Sequence, residues 1–117
     1  MIETLQSYLT SKNIIPVYAG FVPATSGITL TPYASRQSDV NQSYDYMSLQ
    51  IRTKFNTYPH AELIANQCYL ALQGFGLVFD IINCYAKQAP FFLKQDEQGF
   101  IHFSQNFEIE YYNRNRT

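Results

Sequence analysis

Two stretches of strict alternation constrain this chain more than anything else in it. From Tyr44 to Phe55, Met47, Leu49, Ile51 and Phe55 share one parity, and Ser48, Gln50, Arg52 and Lys54 share the other. From Ile101 to Tyr112, Ile101, Phe103, Phe107, Ile109 and Tyr111 alternate with His102, Ser104, Asn106, Glu108 and Glu110. Successive side chains of a strand point to opposite faces, so each stretch predicts a strand with one apolar and one polar side. Gln105 is the single polar break on the apolar side of the second. That strand should extend about 40 Å at about 3.3 Å per residue.

The hairpin leading into it is also readable. Pro90 interrupts the strand before it, Phe91 to Lys94 resumes, Asp96-Glu97-Gln98-Gly99 is a turn by composition, and Ile101 begins the return. Upstream, Leu77 to Lys87 carries apolar residues on both parities, which predicts a strand that is central or covered on both faces. Between the first alternating strand and this run lies a helix of about His60 to Gln73. Thr57 is its predicted N-cap, Pro59 is tolerated in the first turn, and Gly74 and Gly76 supply the stop. Ala61, Ile64, Ala65, Cys68 and Leu72 form its apolar stripe. Such a helix is about 21 Å long at about 1.5 Å per residue, half the length of the last strand. The remaining apolar strand surface needs another cover, either the first helix and a long loop or a neighbouring subunit.

The N-terminal third is less regular. Ile2, Leu5 and Leu9 mark one face of a short helix to Lys12, which Asn13 can close in a left-handed conformation. Ile14 to Val22 favours a strand. Pro23 to Ser43 contains a turn signal at Thr25-Ser26-Gly27, a short alternating strand at Ile28 to Thr31 and a polar loop from Ser35 to Ser43. Asn113 to Thr117 is a polar tail expected to fray. The order helix, strands, helix, strands predicts an α+β fold: one domain over 1–117, with a mainly antiparallel or mixed sheet and two helices packed on one face.

Composition narrows the function. Eight basic and nine acidic residues among 117 leave a formal charge of −1, no electrostatic footprint for nucleic acid. Charged residues are only 15% of the chain, while Tyr and Phe number 10 and 9. Interface cores are poor in Lys and Glu and rich in aromatics. Tyr44, Tyr46 and Tyr112 lie on the polar parity of their strands, which suits either a second contact surface or ordinary scattered exposure. No leader resembling a signal peptide opens the chain, and no apolar run approaches a membrane span, so a soluble, intracellular protein is expected. Cys68 and Cys84 fit no zinc motif and read as buried free thiols.

The search for catalytic chemistry returns nothing that converges. His60 and His102 have no linking motif and read as surface histidines. Ser104 shares a face with His102, but no acid orients the imidazole and no glycine elbow presents the hydroxyl. Glu108 and Glu110, two apart on a strand face, read as solvated carboxylates. Gly74-Phe75-Gly76 ends a helix, where a phosphate cradle would open one. No enzyme, cofactor or metal is expected.

Taken whole, the C-terminal segment resembles the phage minor capsid protein family, small proteins of the head–tail genes of long-tailed phages and prophages. The residues that carry the resemblance are Pro90-Phe91-Phe92-Leu93, then Asp96-Glu97-Gln98-Gly99, then Phe103-Ser104-Gln105-Asn106-Phe107. The strand at Tyr46–Thr53 and the helix ending Ala71-Leu72-Gln73-Gly74 fit the same layout, so the likeness covers roughly 44–112. Members often carry an Arg after the turn glycine, where this chain has Phe100-Ile101. Such proteins are similar to tail terminators, or tail-completion proteins. The resemblance implies a homo-hexameric ring on the head-proximal end of the tail tube, with the tail tube protein and a head–tail connector protein as partners. It implies a virion component, assembled in the host cytoplasm, with no catalytic residues. Other neck or minor capsid roles, or a small binding domain with a Tyr-rich face, remain alternatives. The surface expected to meet sister subunits or partners comprises Tyr44, Tyr46, Arg52, Asp96, Glu97, His102, Glu108, Glu110 and Tyr112. The long loop from Pro23 to Ser43 is expected to reach the tube or connector.

Overall fold

The two alternating stretches pair with each other. In the computed structural model, which describes residues 2–20, 22–37, 44–73 and 81–112 and only the backbone at 34–37 and 82, the order is α1 (Ile2–Ser11), β1 (Val17–Ala19), β2 (Gly27–Gln37), β3 (Tyr44–Phe55), α2 (Tyr58–Leu72), β4 (Ile81–Gln95) and β5 (Ile101–Tyr112). The strands form one sheet in the order β1-β2-β3-β5-β4. Only the β1–β2 pair is parallel. β3 and β5 match residue for residue, from Tyr44 opposite Tyr112 to Phe55 opposite Ile101. This unbroken register puts Met47 beside Ile109 and Leu49 beside Phe107, so two apolar parities merge into one apolar face.

Both helices contribute to the core on that face. Leu5 and Leu9 of α1 and Ala61, Ala65, Cys68 and Leu72 of α2 are buried with Ile28, Leu30, Leu49, Ile51, Phe107 and Ile109 of the sheet. The small residues Ala61 and Ala65 let the helix backbone approach β3 and β5. Gln105 exploits that approach: its amide donates to the Ala65 carbonyl at 3.0 Å, which explains the polar break on an otherwise apolar parity. α2 begins where expected, with the Thr57 hydroxyl accepting from the His60 amide. The glycine stop at Gly74 and Gly76 lies outside the described residues. Asn13 takes a left-handed φ of 61° and closes α1, with the Ile14 amide returning to the Leu9 carbonyl. Gly99, at φ 88°, supplies the turn between β4 and β5.

Three segments differ from expectation. The strand predicted over Ile14 to Val22 is reduced to β1. The irregular stretch from Pro23 to Ser43 contains the long strand β2, which pairs with β3 as far as Gln37; residues 38–43 of the predicted loop lie outside the described residues. Its polar residues 35–37 gain a partner from β3, which local composition does not reveal. β4 is an edge strand, neither central nor interrupted. Pro90 is tolerated at an edge because no further strand needs its missing donor. Register shifts at four points along β4 change which parity faces the core; residues 77–80 of the predicted strand lie outside the described residues.

Candidate functional site

The sheet has a second face, turned away from the helices, and seven of the nine residues expected at an interface lie on it. Tyr44, Tyr46 and Arg52 of β3 stand opposite Tyr112, Glu110 and Ser104 of β5, and Glu108 and His102 complete the β5 row. Tyr44 and Tyr112 form an edge-to-face pair with ring centroids 5.8 Å apart. β4 adds two residues not singled out from the sequence, because its bulges hide its parity. The Tyr85 hydroxyl donates to Glu108 at 3.2 Å, and the Lys87 ammonium reaches the Ser48 hydroxyl at 3.2 Å. Burial, and after it the Glu108 carboxylate, hold the Tyr85 phenol above its ordinary pKa. Tyr44, Tyr46, Ser48, Gln50, Arg52, Asn106, Glu108, Glu110 and Tyr112 are all half-buried. Of these nine residues three are tyrosines, three are charged and two are amides, so the face mixes aromatic, ionic and amide groups.

At its hairpin end the face closes over, and here the expectation of a surface histidine is wrong. His102 is only 3% exposed and Ser104 only 2%. The His102 Nε2–H donates to the Asp96 carboxylate at 2.9 Å, while the other Asp96 oxygen accepts the amides of Gln98 and Phe100 at 3.0 and 2.9 Å. The Lys54 ammonium sits 4.0 Å from the same carboxylate and donates to the carbonyls of Pro23 and Ala24. The Phe100 ring lies beneath it, 4.7 Å from Nζ to centroid. Glu97 stays exposed at the tip. Asp96 and His102 therefore form a clasp that closes the turn, with Lys54 fastening the segment before β2 to it. His60 is exposed as expected and packs against Phe55, ring centroids 4.4 Å apart.

A buried His–carboxylate pair is the arrangement a catalytic site would use, so its chemistry needs stating. A general base must reach the proton it abstracts. Here Nε2 is occupied by Asp96, and Nδ1 is shielded from solvent with no partner among the described residues. The pair can fix the turn, and its unpartnered nitrogen is shielded from solvent. The cysteine thiols are equally withdrawn, with burial pushing both Cys68 and Cys84 up to about 12. Among the described residues no group of His, Cys, Asp and Glu is placed to hold a metal ion, and no helix is long and apolar enough to cross a membrane.

The clasp makes a pH prediction. Chiefly the His102 hydrogen bond, and with it the Phe100 and Gln98 amides, hold the Asp96 carboxyl below its ordinary pKa. A carboxylate depressed on folding stabilises the fold above its unfolded pKa of about 3.9, and that stabilisation is lost as pH falls through the folded value. Thermal melts from pH 7 to pH 3 should therefore show wild type losing more stability below about pH 4 than Asp96→Asn, which starts lower at pH 7. Parallel curves for the two proteins would mean that the carboxylate is not held by the clasp.

A family model described as "Bacteriophage tail terminator protein" matches residues 7–113. This chain belongs to the bacteriophage tail terminator family. No curated protein matches it. The match runs from α1 through the last residue of β5, and so covers the whole sheet, both its faces and the hairpin clasp. For a tail terminator the open sheet face is a candidate contact surface, with the clasp at its hairpin end.

Proposed function

We propose that this chain caps the head-proximal end of a phage tail tube as a ring of identical copies. The ring ends tube polymerisation and offers the surface to which the head docks. Membership of the tail terminator family over 7–113 carries this reading. Three physical features support it. The chain is poor in charge and rich in Tyr, as subunit contacts are. Its half-buried sheet face gathers Tyr44, Tyr46 and Tyr112, with Glu110 opposite Tyr46. Its buried histidine, His102, and its two cysteines serve turn closure and packing, which is the economy expected of a structural part. The partners on this reading are sister copies, six to a ring, the tail tube protein below and the head–tail connector above. The protein then resides in the virion, at the neck, after assembly in the host cytoplasm.

Deleting the gene from the phage tests the reading. Tails of uncontrolled length, unjoined to heads, are expected, and supplying the full chain in trans should restore both length and joining. Tails of normal length joined to heads in the deletion strain would overturn it. Sizing the purified chain with tail tubes present, followed by negative-stain imaging, should show six-fold rings at tube ends.

A further inference from the structure

The domain has two layers and leaves an unmatched surface on each side. On the helix side, Leu63 and Leu70 are 55% and 76% exposed. They lie seven residues apart on α2, nearly opposite its buried stripe of Ala61, Ala65, Cys68 and Leu72, and about 10 Å from each other along the helix axis. Single exposed leucines are ordinary. A pair aligned on the outward side of a helix, with the exposed carboxylate of Glu62 on its flank, is a short amphipathic stripe. On the sheet side, Arg52 is half-buried, its Nε is shielded from solvent, and it makes no hydrogen bond or ion pair among the described residues. Asp96, near the Lys54–His102 pair next to it, is held by His102 and the turn amides. Glu108, on the same face, is four residues beyond Ser104, about 13 Å along the strand, and already accepts from Tyr85.

The two surfaces are complementary in kind. One is a helix stripe with an acid beside it; the other is a sheet face with an arginine that has no counter-ion among the described residues and, about 20 Å further along β3, aromatic rings. A helix stripe on a sheet is also how this chain packs within itself. Because the surfaces lie on opposite sides of the domain, their contact is heterologous, and a heterologous contact repeats from copy to copy until it closes.

We infer that copies of this chain associate front to back: the Leu63–Leu70 stripe of α2 in one copy seats on the open sheet face of the next, where Glu62 meets Arg52. The inference rests on the ring reading above and adds to it which two surfaces touch. A guanidinium already shielded at Nε loses little further hydration on contact, and a carboxylate offered to its fork gives a directional pair that fixes the register of the stripe.

Charge exchange in the full-length chain tests it. Association of copies is measured by light scattering, alone and with tail tubes present. Glu62→Arg and Arg52→Glu should each weaken association by about tenfold or more. An equal mixture of the two variants should regain it, because alternating copies restore an opposite-charge pair at every contact, and the double variant should regain it for the same reason. Leu70→Asp, at a site too exposed to threaten folding, should also weaken association. Wild-type association by Glu62→Arg and Leu70→Asp, or a mixture no better than its components, overturns the inference, as does a wild-type chain that stays monomeric under both conditions. If the variants associate normally and still cap tubes, only the choice of surfaces fails. If charge exchange works while the deletion strain makes normal joined tails, the surfaces stand and the terminator reading falls.

Discussion

Phe107→Ala should lower the stability of this protein by about 3–5 kcal/mol and its melting temperature by on the order of 10–20 °C. The ring is fully buried. It stands opposite Leu49 on β3 and Ala86 on β4, and Tyr69 of α2 packs against it with ring centroids 6.3 Å apart. One side chain thus joins three strands to the helix above them. Removing it costs the transfer free energy of the ring and leaves a cavity that rigid strands cannot collapse into. Domains of this kind are stable by about 5–15 kcal/mol in total, so the variant should unfold at a clearly lower denaturant concentration with an unchanged slope. A loss below about 1 kcal/mol would mean that the helix layer and sheet are not joined through this residue.

The register of β3 against β5 explains why so much of this fold is legible in the residues. Each strand declares its own faces by alternation, and pairing two such strands leaves only one register that merges their apolar sides. α2 declares itself by its stripe and by Thr57. The hairpin turn follows from Asp96 and Gly99. What local sequence does not carry is partnership at a distance. β2 runs on to Gln37 because β3 is there to receive it, and nothing in Ala34-Ser35-Arg36-Gln37 announces that. β4 misleads in the opposite way: it lies at the sheet edge, and its four register shifts change which parity faces the core.

The same distinction governs the candidate surface. Tyr44, Tyr46, Arg52, Glu108, Glu110 and Tyr112 are visible from parity alone, and the fold gathers them on one face. His102 has the same parity and a different fate. Its partner is six residues back across a turn, and the turn's closure is what buries it. Gln105 is conspicuous as an exception in an apolar row, but its acceptor is a helix carbonyl forty residues earlier. Parity assigns a side chain to a face; whether that face is wet depends on which other segment arrives there.

Lys54 is the residue for which that difference matters most, and Lys54→Met should cost about 2–4 kcal/mol. Alternation assigns it to the polar side, where a lysine is normally free to replace with little effect. In the fold it is only 6% exposed. Its ammonium donates to the Pro23 and Ala24 carbonyls at 2.8 and 3.3 Å, faces Asp96 at 4.0 Å and lies over Phe100. Withdrawing an ammonium from water is costly, and these four neighbours together offset it. Methionine keeps the length of the stem and its packing but leaves the Pro23 carbonyl without its donor and removes the cation beside Asp96. The consequence should be local before it is global. This contact ties residues 22–26, just before β2, to the hairpin, so limited proteolysis should cut there in the variant at a denaturant concentration where wild type resists. Combined with Asp96→Asn, the losses should fall short of their sum, because the second substitution removes a partner the first has already abandoned. A variant that melts and resists cleavage like wild type would show that the ammonium is solvated, and that β2 is held in place by its pairing with β3 alone.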